Sequence, residues 1–267
     1  MPASVRFVPG GLADAIDRLM AVADTSAALN AARTQIDALL WRRDVRAAAS
    51  EYTIASRQWG ARDSAALDGA DVATAEDSPM GRVLGSAQAL TAEVPAQVDT
   101  WTRAPLQALA RLHAVVAHGH VREEELGRPR RAAENPDDPL RLPIQAPSAD
   151  EAAVRLTLLA QLVSESGDVP ALAVAGIVHA EVLTARPFTW GSGLLGRAAV
   201  RLVLAARGVD PSLFSIPEAG IYQRGRPAYV RALRQYATGE PDPMAGYFAW
   251  FADVIGRGAQ AARPVSS

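Results

Sequence analysis

Along most of the chain, apolar residues recur three and four positions apart, and runs of alternating valine, isoleucine, threonine and aromatic residues are scarce. That periodicity predicts an all-α protein. Two opening helices are expected over residues 11–22 and 26–47, with Asp24, Thr25 and Ser26 as caps for the second. A third is expected over 48–67, where Tyr52, Ile54, Ala55 and Trp59 recur near helical spacing, and Gly69 stands where it would end. Further helices are predicted over 80–92 and 105–117, the latter opened by Pro105 at a first-turn position. The remaining ones fall at 148–164, 169–185, 193–207, 227–238 and 244–257. Between 118 and 147 the periodicity lapses, and proline, glycine and charge predict an exposed loop with a possible short β-hairpin flap. No repeat or low-complexity linker divides the chain, so the simplest organisation is an N-terminal helical extension at 1–47 and one domain at 48–267.

Composition narrows the function classes. A chain of 267 residues can bury a core around a pocket. Its 27 basic and 29 acidic side chains are dispersed and leave a net charge of -2, which points away from nucleic acid as a partner. There is no cysteine, which excludes disulfides and thiolate chemistry and fits a cytoplasmic location. The first residues lack the pattern of a signal peptide, and no apolar run approaches the ~20 residues of a membrane span, so no membrane partner is expected. Every basic side chain is arginine, so a Schiff-base lysine and a phosphate-loop lysine are both absent.

Candidate chemistry centres on residues 178–208, where one helix ends near Arg186 and Pro187, a loop carries glycines, and a second amphipathic helix begins. Backbone N–H groups at such a turn can approach an anion closely, and the helix dipole adds positive potential there. Ser192 can cap the helix or donate to a phosphate, and Arg186 and Arg197 offer fork-shaped donors. The alternative reading of the same glycines is purely structural, since glycine also closes helices and makes tight turns.

Residues 186–197 resemble, without a gap, the signature H-P-F-x-[DE]-G-N-G-R-x-x-R of the Fic (Fido) family, with Pro187, Phe188, Gly191, Gly193 and Arg197 matching. The segments around 106–116, 127–130, 226–233 and 241–258 are similar to other parts of that family, and His179 falls where many members carry a histidine. Within 60–70, Ser64, Asp68 and Gly69 resemble the family's inhibitory-helix motif [ST]-x-x-x-E-[GN], with aspartate for glutamate. The resemblance implies a Fic-type helical domain and ATP, or another nucleotide, as the candidate ligand. It also implies a phosphate-binding set of Arg186, Gly191, Ser192, Gly193, Gly196 and Arg197.

The departures fall on the chemical positions. The family's signature histidine acts as a base in AMP transfer, and Arg186 stands in its place with no lone pair to accept a proton. Trp190 replaces the acid that holds Mg²⁺, which makes that metal doubtful as a cofactor. Ser192 and Leu194 replace a phosphate-binding asparagine and arginine. No catalytic residue and no metal ligand is therefore assigned. Asp68 and Arg197 either form a brake on nucleotide binding or an ordinary buried ion pair.

Outside the loop, His118 and His120 beside Glu123, Glu124 and Glu125 match no metal-ligand spacing, and His113 and His179 sit in apolar helical patterns as packed residues. Tyr247, Phe248, Trp250 and Phe251 read as a core-packing cluster, and Tyr222 and Tyr229 as either adenine-stacking or structural residues. Three functions follow: a degenerate Fic-fold protein binding a nucleotide or a protein partner, a divergent phosphate-group transferase, or a structural or regulatory helical module.

Overall fold

The structure, a computed structural model, describes residue 21 and residues 24–70 and 78–264. Twelve α-helices follow one another among these residues: α1 (Thr25–Trp41), α2 (Arg43–Ala47), α3 (Ala49–Leu67), α4 (Pro79–Glu93), α5 (Val98–Arg103), α6 (Pro105–Val116), α7 (Ala149–Glu165), α8 (Ala171–Ala185), α9 (Ser192–Ala206), α10 (Pro217–Arg224), α11 (Arg226–Ala237) and α12 (Pro241–Gln260). Short 3₁₀ turns lie at Val94–Gln97 and Glu123–Glu125.

The central pair is α8 and α9, joined by residues 186–191 and packed along each other's length. Their sequences explain the placement. The stretch from Leu172 to Ala180 is buried residue after residue, as is Ser192 to Ala205, so neither helix has a face for solvent. The other helices show the one-sided pattern of a surface layer: α1 buries Leu29, Ala32, Ile36 and Leu39 against α12, so the described part of the N-terminal segment shares the core of the domain. Gln35 meets Gln260 at 2.9 Å along that contact.

Local signals set several boundaries. Ser78 Oγ accepts from the Gly81 N–H at 2.9 Å and Pro79 follows at the first helical position, which starts α4. Ser148 does the same for α7 through the Glu151 N–H at 3.1 Å.

Four expectations are corrected. The helix expected over 26–47 is divided at Arg42, whose extended ψ of 130° breaks the hydrogen-bond ladder while its guanidinium pairs with Asp44. Asp24 occupies the N-cap position of α1 without a side-chain cap bond, because its backbone is left-handed (φ 65°). The β-hairpin flap does not form: the described residues contain no strand, and Pro129, Pro136, Pro139, Pro143 and Pro147 remove the donors a ladder needs. Nor is that loop simply exposed, since Glu125, Arg130, Leu140 and Leu142 are buried within it. The helix expected over 11–22 lies outside the described residues, apart from residue 21. No helix among the described residues is long and apolar enough to cross a membrane.

Candidate functional site

The loop between α8 and α9 turns on two left-handed residues. Arg186 ends α8 at φ 43°, and Gly191 precedes α9 at φ 79°, where an L side chain would be strained. Two ring stacks hold the loop between them. Phe188, fully buried, lies 4.0 Å from the His113 ring at 12°, and Trp190 lies 3.8 Å from the His120 ring at 6°. His113 Nδ1 accepts the Gly127 N–H at 2.9 Å, and burial pulls this imidazole down to about 4, so it stays neutral. His120 bonds Ser86 Oγ at 3.0 Å. Both histidines therefore brace aromatic residues of the loop. Among the described residues no group of three or more His, Asp or Glu side chains converges as a metal ligand set.

The Arg186 guanidinium bonds the 128–147 segment. Its Nη1 pairs with Asp138 Oδ2 at 2.9 Å and its Nη2 donates to the Ile144 carbonyl, so its charge is spent on the 128–147 segment. That segment answers with further bonds. Arg130 N–H donates to the Pro187 carbonyl and Arg130 Nε to the Arg186 carbonyl, both at 2.8 Å, while Asp137 N–H donates to the Thr189 carbonyl at 2.9 Å.

Two carboxylates reach the start of α9, and one of them pairs with an arginine. Arg197 is wholly buried; its Nε donates to Ser64 Oγ at 2.7 Å, and its Nη2 donates to the Ser64 carbonyl at 3.0 Å and pairs with Asp68 Oδ2 at 2.8 Å. These contacts join Ser64 and Asp68, of the motif-like segment, to Arg197. Gly69 ends α3 at φ 94°, the conformation for which glycine is suited. Gly193 is required by crowding: a Cβ there would lie 2.9 Å from both Asp68 carboxylate oxygens and 3.2 Å from Arg197 Nη1. The second carboxylate comes from Asp137, whose Oδ2 accepts the Gly191 N–H at 3.2 Å. Burial pushes Asp137 up to about 7, with the Gly191 N–H acting against it and the Asp68 and Asp138 charges adding to it; burial also raises Asp68.

Several polar atoms here are buried without a protein partner: Asp68 Oδ1, Asp137 Oδ1, Ser192 Oγ, Thr189 Oγ1 and Arg197 Nη1. Ser192, expected as cap or phosphate donor, makes no cap bond. Gly196 serves packing: its Cβ would fall 2.3 Å from Leu183 Cδ1, so this glycine lets α8 and α9 approach. Leu194 belongs to the core.

His179 is buried between Tyr247 and Tyr229, bonded through Nδ1 at 2.9 Å and Nε2 at 2.8 Å. Tyr247 donates its hydroxyl proton to the Gly176 carbonyl at 2.7 Å, so it accepts from an Nδ1–H, and Nε2 accepts from Tyr229. Burial, then the Arg197 charge, pulls His179 down to about 3. It is a packed, hydrogen-bonded residue within the cluster of Tyr229, Tyr247, Trp250 and Phe251. Tyr229 is fully buried in that cluster, whereas Tyr222 stands exposed. A cavity of about 300 Å³ between α11 and α12, lined by Arg224, Arg231, Gln235, Trp250 and Asp253, involves none of the loop residues.

Sequence reasoning missed Asp137, Arg130 and a second buried arginine clamp. Arg201, one helical turn beyond Arg197, pairs with Glu218 at 2.7 Å and donates to Ser56 Oγ and the Ser56 carbonyl at 2.8 and 2.9 Å. The pattern of Ser56 and Ser64 on one helix and Arg197 and Arg201 on another was present in the sequence, but nothing local marks them as partners.

No protein-family model and no curated protein matches the sequence. Solved structures do. A Fic family protein from Desulfovibrio desulfuricans G20 is similar with a TM-score of 0.61 at 19% identity, covering 98% of this chain and 75% of that one. Residues 134–508 of Fic-1 from C. elegans are similar with a TM-score of 0.65 at 15% identity, covering 92% of this chain and 74% of that one. A Fic domain containing signaling protein from Bacteroides thetaiotaomicron VPI-5482 gives 0.65 at 13% identity, over 88% of this chain and 96% of that one.

Proposed function

Starting from the Fic-type fold that these structures share with the chain, we propose a protein that does not transfer AMP but keeps a phosphate-binding first turn at α9, blocked by its own carboxylates. The observation that carries this reading is the buried Arg197–Asp68 pair at 2.8 Å, beside which Ser192 Oγ and Arg197 Nη1 have no protein partner. An arginine and orphaned donors at a helix N-terminus suit a phosphate, and a carboxylate already there competes with it.

Catalysis of the family type is not supported by the side chains present. Arg186, at the position of the base, has no lone pair to accept a proton and is committed to Asp138. Trp190, at the position of the metal-holding acid, offers no oxygen and is stacked on His120, so the site does not fit Mg²⁺. A nucleotide's phosphates would be held by the first-turn amides of α9, by Ser192 and by Arg197, once Asp68 has turned away.

Calorimetric titration with ATP, ADP and AMP, with and without Mg²⁺, tests the reading on the native protein and on Asp68→Gly. Binding by the variant in the micromolar range, weaker in the native protein and indifferent to Mg²⁺, is expected. No binding to either form would leave the fold as a structural or regulatory module. Transfer from a labelled nucleotide that Arg197→Ala abolishes would instead establish a divergent transferase.

A further inference from the structure

We infer that residues 128–147 are a strap across the α8–α9 loop, and that Asp137 is its latch, an internal anion seated where a phosphate would meet α9. This rests on the phosphate-binding reading above and adds a second, independent block to it.

The strap is fastened at both ends of the loop. Near Arg186, the Arg130 N–H and Nε hold the Pro187 and Arg186 carbonyls at 2.8 Å, and Arg186 returns bonds to Asp138 and Ile144. Near α9, Asp137 grips twice, through its N–H to the Thr189 carbonyl at 2.9 Å and through Oδ2 to the Gly191 N–H at 3.2 Å. These bonds use the backbone groups that open the helix. A ligand oxygen approaching Gly191 must first displace Asp137.

Charge makes the latch labile. Asp68 reaches the same turn from α3 while Asp137 reaches it from the strap, yet Arg197 is the guanidinium paired with a carboxylate there, and its ion pair is with Asp68. Arg186 and Asp138 neutralise each other at 2.9 Å. The helix dipole supplies only about half a positive charge; Arg186 favours the Asp137 charge while Asp68 and Asp138 oppose it, Arg226 is engaged by Asp68 and by the Pro139 carbonyl, and Asp137 Oδ1 has no partner. Ser192, in that turn, has a buried Oγ without a partner, and the unpartnered Arg197 Nη1 lies beside Gly193, so an arriving phosphate gains donors that Asp137 does not use. Asp137 is therefore a positioning residue: it sets the resting shape of the loop and competes with ligand.

Hydrogen exchange by mass spectrometry on Asp137→Ala and Asp137→Asn, paired with calorimetric titration of inorganic pyrophosphate, separates the possibilities. Losing one amide-to-carboxylate bond should speed exchange over residues 187–194 by about ten-fold in the alanine variant, less in the asparagine variant, with α8 as the unchanged fold control. In an Asp68→Gly background, adding Asp137→Ala should tighten pyrophosphate binding by about ten-fold or more. Unchanged exchange over 187–194 in both variants, or equal pyrophosphate affinity with and without Asp137, overturns the strap while leaving the phosphate site standing. Faster exchange with no variant binding pyrophosphate or ATP supports the strap and removes the phosphate reading instead.

Discussion

A proton added to His179 would create a cation in the centre of the core, beside Arg197 and between two tyrosine hydroxyls that already satisfy the neutral ring. The folded protein holds this imidazole at about 3, against 6.5 for an ordinary histidine. At about 1.4 kcal/mol per unit, that gap of roughly 3.5 units corresponds to a ceiling of about 5 kcal/mol. The sign follows from the depressed value: the stabilisation is fully present above the unfolded value near 6.5 and is lost as pH falls through the folded one. Between about pH 6.5 and 4.5 the loss from this residue alone should be about 2–3 kcal/mol. His113, held at about 4, adds a slope of the same sign, so the native profile is not enough by itself. Urea unfolding of the native protein and of His179→Gln across that range isolates the contribution as the difference between the two profiles, and nitrogen NMR should find the proton on Nδ1. Parallel profiles, or an imidazole titrating near 6.5, would refute the tautomer and the burial argument together.

Other consequences are testable by the same unfolding measurements. Asp68→Ala leaves Arg197 buried without its counter-ion and should cost about 3–5 kcal/mol, whereas Asp37→Ala, at an exposed pair with Arg33, should cost under ~0.5 kcal/mol. Gly196→Ala forces a methyl group against Leu183 Cδ1 and should cost about 1–3 kcal/mol, partly recovered when Leu183 is also shortened. Asp137 has a raised value of about 7, so its ionised form is disfavoured in the fold and stability drains as pH rises from about 4 to 7. Asp137→Asn should therefore gain on the native protein at pH 8 relative to pH 5, and an equal difference at both would contradict the burial of Asp137 and, after it, the crowding of carboxylates at α9.

Much of the helical frame was legible because its residues speak locally. Periodicity located α3, α4, α6 and the helices from α7 to α9, α11 and α12 to within a few residues, and Gly69 and Pro105 marked ends where their backbone preferences are met. The short helices α5 and α10 were not anticipated: with six and eight residues they are too brief for a periodic pattern to stand out. At the site, the grouping of Ser64, Asp68 and Arg197 was readable only through resemblance, since Ser64 and Arg197 stand 133 positions apart and Asp68 is nearly as far from Arg197. Glycines were the ambiguous letters. Gly191 and Gly193 do serve the turn, but Gly196, which reads equally well as part of a phosphate loop, is spent on helix contact. The proline-rich segment concealed Asp137 and Arg130, because a loop without periodicity gives no indication of which side chains turn inward.

The paired clamps between α3 and α9 make the first of these helices a ruler. Ser56 and Ser64 stand eight residues apart on it, each receiving one arginine of α9 through hydroxyl and carbonyl alike. A single residue inserted between them would rotate everything beyond by about 100° and advance it by about 1.5 Å. Ser64 and Asp68 would swing away from Arg197 while Ser56 kept Arg201, so the length of that eight-residue interval, as much as the identity of Asp68, encodes whether the end of α3 reaches the loop.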